Sequence, residues 1–280
     1  ASLRCAINPE TGQETAYPPQ DARGRKTVWV AGSGPAGLTA AYEAARLGHD
    51  VTVFEKDPET GGQIRYASIP PFKDVYRAWI AWLEREVRRL GARILTGVEL
   101  DEKRLSEGGA DFVIVATGGR KLVPDIEGVD LPHVHDAWRI LSGASRPGRD
   151  VLVVGGGLIG MEAADFLAGR VRSLTIVEAL KTPPVSKLTS HGYMLHRRLR
   201  DAGCTLIYGA EVKKIEPGGV LVSEGGRERT IAPVDQVVLA VGLVPESRLA
   251  DACSRLGIRH AVVGDAAGPH GDEFAAVRRR

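Results

Sequence analysis

A chain of 280 residues is long enough for two domains of ordinary size, each with its own core. Hydrophobic residues at 43% and charged residues at 26% suit a folded globular protein and exclude a disordered one. With 37 basic against 35 acidic side chains the formal charge is +2, so nothing electrostatic points to nucleic acid or to an acidic membrane surface as partner.

The first 24 residues read as a polar arm, punctuated by Pro and Gly, ahead of anything that could be core. Cys5 lies in it, within RCAINPE, and has no CxxC neighbour. No basic segment leads into an apolar one, so no signal peptide is visible, and no run of 18 apolar residues occurs that would cross a membrane as a helix. The first residue is Ala rather than Met, as in a processed chain or a fragment. Three cysteines, Cys5, Cys204 and Cys253, are odd in number and widely spaced. That argues against a disulfide scaffold and for a reducing compartment, the cytoplasm by default. At the other end, Arg278, Arg279 and Arg280 read as a solvated tail.

Two segments echo each other: TVWVAGSGPAGLTAAYEAARLGHDVTVFEK from Thr27, and DVLVVGGGLIGMEAADFLAGRVRSLTIVEA from Asp150. Each reads as an apolar strand, a G-x-G-x-x-G turn, an Ala-rich helix and a second strand that ends in Glu. Gly32, Gly34, Gly37 and Glu55 become Gly155, Gly157, Gly160 and Glu178, each pair 123 positions apart. A later strand recurs too, FVIVATG ending at Gly118 and QVVLAVG ending at Gly242. Between the repeats, Phe72, Val75, Trp79, Leu83, Val87 and Leu90 fall at helical spacing, with Gly91 as the stop and the tryptophans as packing residues. After the second repeat come the loop KTPPVSKLTS, a helix over HGYMLHRRLRDAG, a strand at CTLIYG, and a run of strands with Gly turns from EVKKIE to VVLAVG.

One G-x-G-x-x-G is weak; two, each between a strand and a helix and each followed by an acid at the end of the next strand, are specific. The first glycine allows the tight turn, the second lets backbone approach a pyrophosphate, and the third lets helix pack on strand. Phosphates then sit at the helix N-terminus, where unpaired N–H groups and the dipole favour anions. Glu55 and Glu178 fall where a carboxylate accepts hydrogen bonds from a ribose diol.

The motifs GSGPAG, GGQ (Gly61 to Gln63), ATGG (Ala116 to Gly119), GGGLIG and AVVGDA, in that order, resemble the flavoproteins with two dinucleotide-binding domains, the architecture of glutathione reductase. The resemblance implies an α/β fold of two Rossmann-like domains, with the NAD domain inserted into a split FAD domain. It implies an arm over 1–24, a first FAD part over 25–146, an NAD domain over 147–258 and a closing FAD segment over 259–280. It assigns FAD to Gly32, Gly34, Ala36, Gly37, Glu55, Val98, Ala116, Thr117, Gly118, Gly264 and Asp265, with Gly62, Gln63 and Arg65 approaching the flavin. The nicotinamide cofactor falls to Gly155, Gly157, Ile159, Gly160, Glu178 and Gly242. A carboxylate at Glu178 welcomes a 2′-hydroxyl and repels a 2′-phosphate, and its neighbours Ala179 and Leu180 are not the arginines of an NADP site. Lys181 offers only a partial counter-charge, so NADH is the expected donor.

Disulfide reductases hand electrons to a CxxC or CxxxxC pair, and this chain has neither. Cys204 and Cys253 read as small buried residues; His133 and His135 lack a third ligand, and no acid, base or nucleophile constellation stands out. The flavin's electrons therefore go to something outside the polypeptide. RCAINPETGQE ahead of GSGPAG, together with GGQIRYA and IPPFK, resembles the middle of the iron–sulfur relatives of old yellow enzyme: 2,4-dienoyl-CoA reductase, trimethylamine dehydrogenase and the enoate reductases. That resemblance makes Cys5, with Asn8 and Pro9 behind it, the fourth ligand of a [4Fe–4S] cluster. The other three cysteines would come from an FMN-binding TIM-barrel polypeptide, fused or separate, in a larger complex acting on an enoyl compound or an amine. Two other arrangements stay open: a free-standing NAD(P)H:acceptor reductase in which Cys5 is an idle thiol, and a scaffold that holds only ADP.

Overall fold

The structure, a computed structural model, describes residues 24–268 and, before them, Cys5, Ile7, Asn8, Thr11, Gly12 and Thr15. Pro9 and the basic ending lie outside the described residues. The chain divides into two compact units, one of residues 1–65, 74–120 and 243–280, the other of residues 66–73 and 121–242.

The first unit opens with β1 (Thr27–Ala31) and α1 (Pro35–Arg46). Pro35 takes the first helical position, where its missing N–H has no intrahelical partner to lose. β2 (Asp50–Glu55) pairs parallel with β1, Thr27 opposite Asp50 and Ala31 opposite Phe54. Then come α2 (Ile64–Ala67), α3 (Val75–Arg89), β3 (Arg93–Thr96), α4 (Glu102–Ser106), β4 (Phe112–Val115) and β5 (Gly119–Lys121).

The second unit contains β6 (Val134–Asp136), α5 (Ala137–Leu141), β7 (Asp150–Val154), α6 (Leu158–Leu167), β8 (Ser173–Glu178), α7 (Ser190–Asp201) and β9 (Thr205–Tyr208). An antiparallel meander follows, β10 (Ala210–Glu216), β11 (Gly218–Glu224) and β12 (Arg227–Val234), and then β13 (Gln236–Leu239). The chain closes with β14 (Leu243–Pro245), paired with β5, then α8 (Arg248–Arg255), β15 (His260–Val262) and a 3-10 turn over Gly264–Ala267.

The two parallel sheets share one plan. Their orders, β15-β4-β1-β2-β3 and β6-β13-β7-β8-β9, place each first repeat strand at the centre with its own second strand beside it. β7 is buried along its whole length, as a parallel strand covered on both faces must be. In the first unit α1 and α3 cover one face, with Leu38, Leu83 and Val87 packed against Val30 and Val53. α4 and α8 supply Leu105, Leu249 and Cys253 to the other, against Val113 and Val115. In the second unit α5, α6 and α7 cover one face, and the meander, with Val212, Ile215, Val220 and Val222, covers the other.

The division of the chain falls at 120/121 and 242/243, where the expected domain limits were 146/147 and 258/259. Residues 121–146 go with the second unit because β6 bonds to β13 and α5 joins the α6 core. Residues 243–258 go with the first because α8 buries its apolar side against β4. The helix expected from Phe72 begins at Val75. Trp79, Leu83 and Val87 are its buried stripe, but Phe72 lies outside it, 79% exposed and with φ +66°. Trp82 packs against the Tyr42 ring at 6.0 Å.

Segment 66–73 is held on α6 and α7. The buried Lys73 ammonium pairs with the buried Glu162 carboxylate, whose Oε1 also lies 3.2 Å from His191 Nε2. Arg198, paired with Asp165 at 2.7 Å, lies 5.1 Å from the centre of the Phe72 ring. Removing one partner of a buried pair leaves a charge without its counter-ion, whereas removing both does not. Lys73→Met is therefore expected to lower stability by about 3 kcal/mol, and Lys73→Met with Glu162→Leu to recover most of it. Urea unfolding followed by circular dichroism reads both; a silent single substitution would show that the pair does not hold this segment.

Candidate functional site

In the first unit the chain leaves β1 through Gly32, whose φ of +99° only glycine adopts without strain. A methyl group there would lie 2.4 Å from the Ala116 carbonyl oxygen. At Gly37 it would lie 1.9 Å from the Gly32 carbonyl oxygen, so α1 rests directly on the turn. Gly34 behaves differently: the nearest atom to an added methyl is the Gly62 Cα, at 3.9 Å. α1 starts there with no side-chain cap, which leaves first-turn N–H donors to an anion.

The expected partners converge on this corner. Gly264 brings the last turn against α1, where its added methyl would lie 2.7 Å from the Ala36 Cβ, and Asp265 follows it. Gln63 Nε2 donates to the Gly119 carbonyl at 3.3 Å, beside Gly118. The Thr117 hydroxyl donates to the Glu246 carbonyl at 2.7 Å. Arg65 is held by Asp57 and by the Gly62 carbonyl. Val98 donates its N–H to the Glu55 carbonyl at 2.8 Å. The Glu55 carboxylate is buried: Oε2 accepts from the Ser33 N–H at 2.8 Å and the Ser33 hydroxyl at 2.6 Å, and Oε1 from the Asp57 N–H at 2.9 Å.

The second unit repeats the construction. Gly155 has φ +106° and an added methyl would lie 2.4 Å from the Ala240 carbonyl oxygen; at Gly160 it would lie 2.0 Å from that of Gly155. Around Gly157 nothing lies within 4 Å of an added methyl, and the same holds at Gly242. α6 also starts without a side-chain cap, and Ile159 packs partly buried on the helical core. Glu178, buried, accepts from the Gly156 N–H on Oε2 at 2.6 Å and from the Leu180 N–H on Oε1 at 2.8 Å. Lys181 lies along Gly209, 3.2 Å from the position of its added methyl.

Each corner thus has an open glycine, an uncapped helix start and a clamped carboxylate, which fit a pyrophosphate and an adenosine ribose. Reasoning from glycine and glutamate spacing missed the Ser33 hydroxyl and the Lys73–Glu162–His191 cluster. Ser33 stands where the second fingerprint has Gly156, and that one difference between the repeats was its signal.

The cysteines differ in kind. Cys5 is exposed, and the N–H groups of Asn8 and Ile7, with the Thr11 side chain, hold its thiol below the usual range. Ile7 packs against the core of the first unit, which anchors this part of the arm. Burial pushes the Cys204 thiol up to about 12 and that of Cys253 in the same direction. These two lie in different units and neither is poised for thiol chemistry. His135 is shifted down by burial and then by Arg139, and His133 Nε2 is buried without a partner. Among the described residues no three His, Cys, Asp or Glu side chains cluster as a metal site, and no helix is long and apolar enough to cross a membrane.

The pyridine nucleotide-disulphide oxidoreductase signature matches residues 26–268. The NADH oxidase of Thermoanaerobacter brockii is 35% identical over 94% of this chain, and the bilirubin reductase of Mediterraneibacter gnavus 33% over 94%. The matches cover 42% and 41% of those relatives, so the chain spans about two fifths of their length. A solved complex of 2-naphthoyl-CoA reductase with 2-naphthoyl-CoA superposes with a TM-score of 0.89 at 27% identity, covering 98% of this chain and 42% of that one. With its two glycine corners and with these relatives, the chain belongs to the pyridine nucleotide-disulphide oxidoreductase family, as a flavoprotein NAD(P)H oxidoreductase module.

Proposed function

We propose that this chain is the FAD- and NADH-binding part of an iron–sulfur flavoenzyme whose remaining part is an FMN-binding barrel acting on an enoyl compound or an amine. The observation that carries the reading is the exposed Cys5 thiol, faced by the N–H groups of Asn8 and Ile7, of which Ile7 packs on the first core, in a chain with no CxxC or CxxxxC pair for the flavin to reduce. N–H groups directed at a sulfur favour the thiolate, the form that ligates iron. The length of the relatives beyond the matched part leaves room for a barrel with the other three cysteines.

The bound cofactors supply the hydride and electron chemistry; the protein supplies binding and orientation. Gly32, Gly34, Ala36, Gly37, Ala116, Thr117, Gly118, Gly264 and Asp265 would receive FAD, with Glu55 and Val98 at its ribose end and Gly62, Gln63 and Arg65 toward the flavin. Gly155, Gly157, Ile159, Gly160 and Gly242 would receive NADH, with Glu178 on the ribose. No side chain is required as acid, base or nucleophile.

NADH is expected to bleach the bound flavin at a lower concentration than NADPH, by roughly tenfold or more, as one lost bond to a charged acceptor implies. Glu178→Arg narrows or reverses the preference. Equal response of the wild type to both nucleotides in anaerobic titration would remove Glu178 as the reader of the 2′-hydroxyl.

For Cys5 the thiol shift runs downward, so more thiolate is present at neutral pH than for an ordinary cysteine. Iodoacetamide at pH 7 is expected to label Cys5 well before Cys204 or Cys253. In the complete enzyme, Cys5→Ala leaves flavin bleaching by NADH intact and abolishes the broad iron–sulfur absorbance and FMN reduction, read by stopped-flow spectroscopy. An unchanged cluster spectrum in that variant returns Cys5 to an idle thiol and the module to a free-standing reductase.

A further inference from the structure

Resting on that reading of the two sites, we propose that the residue between the first two fingerprint glycines, Ser33 in one and Gly156 in the other, sets how many ribose hydroxyls each site takes. An ionised carboxylate offers about four lone-pair positions. Glu55 gives two on Oε2 to the N–H and hydroxyl of Ser33 and one on Oε1 to the Asp57 N–H, which leaves one. Glu178 gives one on Oε2 to the Gly156 N–H and one on Oε1 to the Leu180 N–H, which leaves one on each oxygen. One free acceptor suits a single hydroxyl; two on one carboxylate suit the adjacent 2′- and 3′-hydroxyls together.

Neither carboxylate has freedom to rearrange. Both are buried and bonded through both oxygens, and Ser33 is fully buried with its hydroxyl committed to Glu55. In the second site a Cβ at Gly156 would lie 3.0 Å from the Glu178 Cβ and 3.3 Å from Oε2. A serine hydroxyl there reaches Oε2 after a shift of a few tenths of an ångström, as Ser33 reaches Glu55. Gly156 is thus a positioning residue: it acts on the nucleotide through Glu178 by keeping an acceptor vacant. The second site demands both hydroxyls of its adenosine ribose, and the first tolerates the loss of one.

The test is equilibrium dialysis of the flavin-loaded protein against NAD⁺ and its 2′- and 3′-deoxyadenosine analogues, none of which reduces or oxidises the bound oxidised flavin. Wild type is expected to lose roughly ten- to a hundredfold in affinity on the loss of either hydroxyl. Gly156→Ser binds NAD⁺ about tenfold more weakly and is penalised by the loss of only one of the two hydroxyls, while Gly156→Ala, which adds the methyl without the hydroxyl, is still penalised by the loss of either. In the flavin-free protein, Ser33→Gly gives an independent reading with ADP and its 2′- and 3′-deoxy forms. The wild type penalises one deoxy form and the variant both.

A Gly156→Ser protein that keeps both deoxy penalties in full, or a Ser33→Gly protein with an unchanged pattern, overturns the proposal. Glu178→Ala separates the two levels. If it leaves NAD⁺ binding untouched, the assignment of the second site itself falls. If it weakens NAD⁺ while Gly156→Ser changes nothing, only the present proposal does.

Discussion

Both candidate sites depend on one close approach, helix backbone laid on turn backbone at the third glycine of each fingerprint. Gly37 and Gly160 bring their helices so near the Gly32 and Gly155 carbonyls that a single methyl group would overlap them. This fixes where the N-terminus of each helix points, and the tight turn before it brings the second glycine to the mouth of the sheet. The same turn exposes the N–H of Ser33 or Gly156 to the glutamate that ends the neighbouring strand. The uncapped helix start and the clamped carboxylate are therefore one construction: loosening the helix would disperse both.

Most of this was legible because it is periodic. Two strand–turn–helix–strand units with matching glycines and glutamates can be read without coordinates, and the parallel sheets, the helix stripe of Trp79, Leu83 and Val87, and the meander all follow from spacing. What was not legible depended on contacts between residues far apart in the chain. Phe72 continues the helical spacing on paper, yet the helix starts later, because Lys73 is drawn to Glu162 and the backbone turns through φ +66° to place it. The limits of the units moved for a similar reason. α5 and α8 are too short to declare a partner locally, and their placement is decided by which core has room for Ala137, Ile140, Leu249 and Cys253. Ser33 escaped because an alignment of glycines treats the residue between them as a spacer.

The repeats have also diverged in what surrounds them. Both central sheets have the same order, but the second unit is covered on one face by an antiparallel meander and the first by α4 and α8. A meander is made of local hairpins and brings its own hydrogen bonds, so it caps a sheet without help from distant sequence. Two short helices bring only an apolar side each, and in this chain they come from segments on either side of residues 121–242. The first unit is thus the less self-contained of the two, and its Gly264 turn shows the same dependence, since it reaches the fingerprint only after the chain has passed through the whole of the second unit.

The outer strand β15 carries a consequence for how the protein is made. Its hydrogen bonds run to β4, from His260 opposite Val113 to Val262 opposite Val115, so the first sheet stays one strand short while most of the chain is already on the ribosome's far side. All strands of the second sheet, β6 included, have emerged by Leu239. Domains fold as units as they emerge, and here the order of completion inverts the order of synthesis: the inserted unit closes first. Until the chain returns, β4 keeps an unpaired edge. A translation pause or proteolytic cut between β13 and β15 would leave a finished second unit attached to an unfinished sheet with an open edge, the kind of surface that recruits other strands.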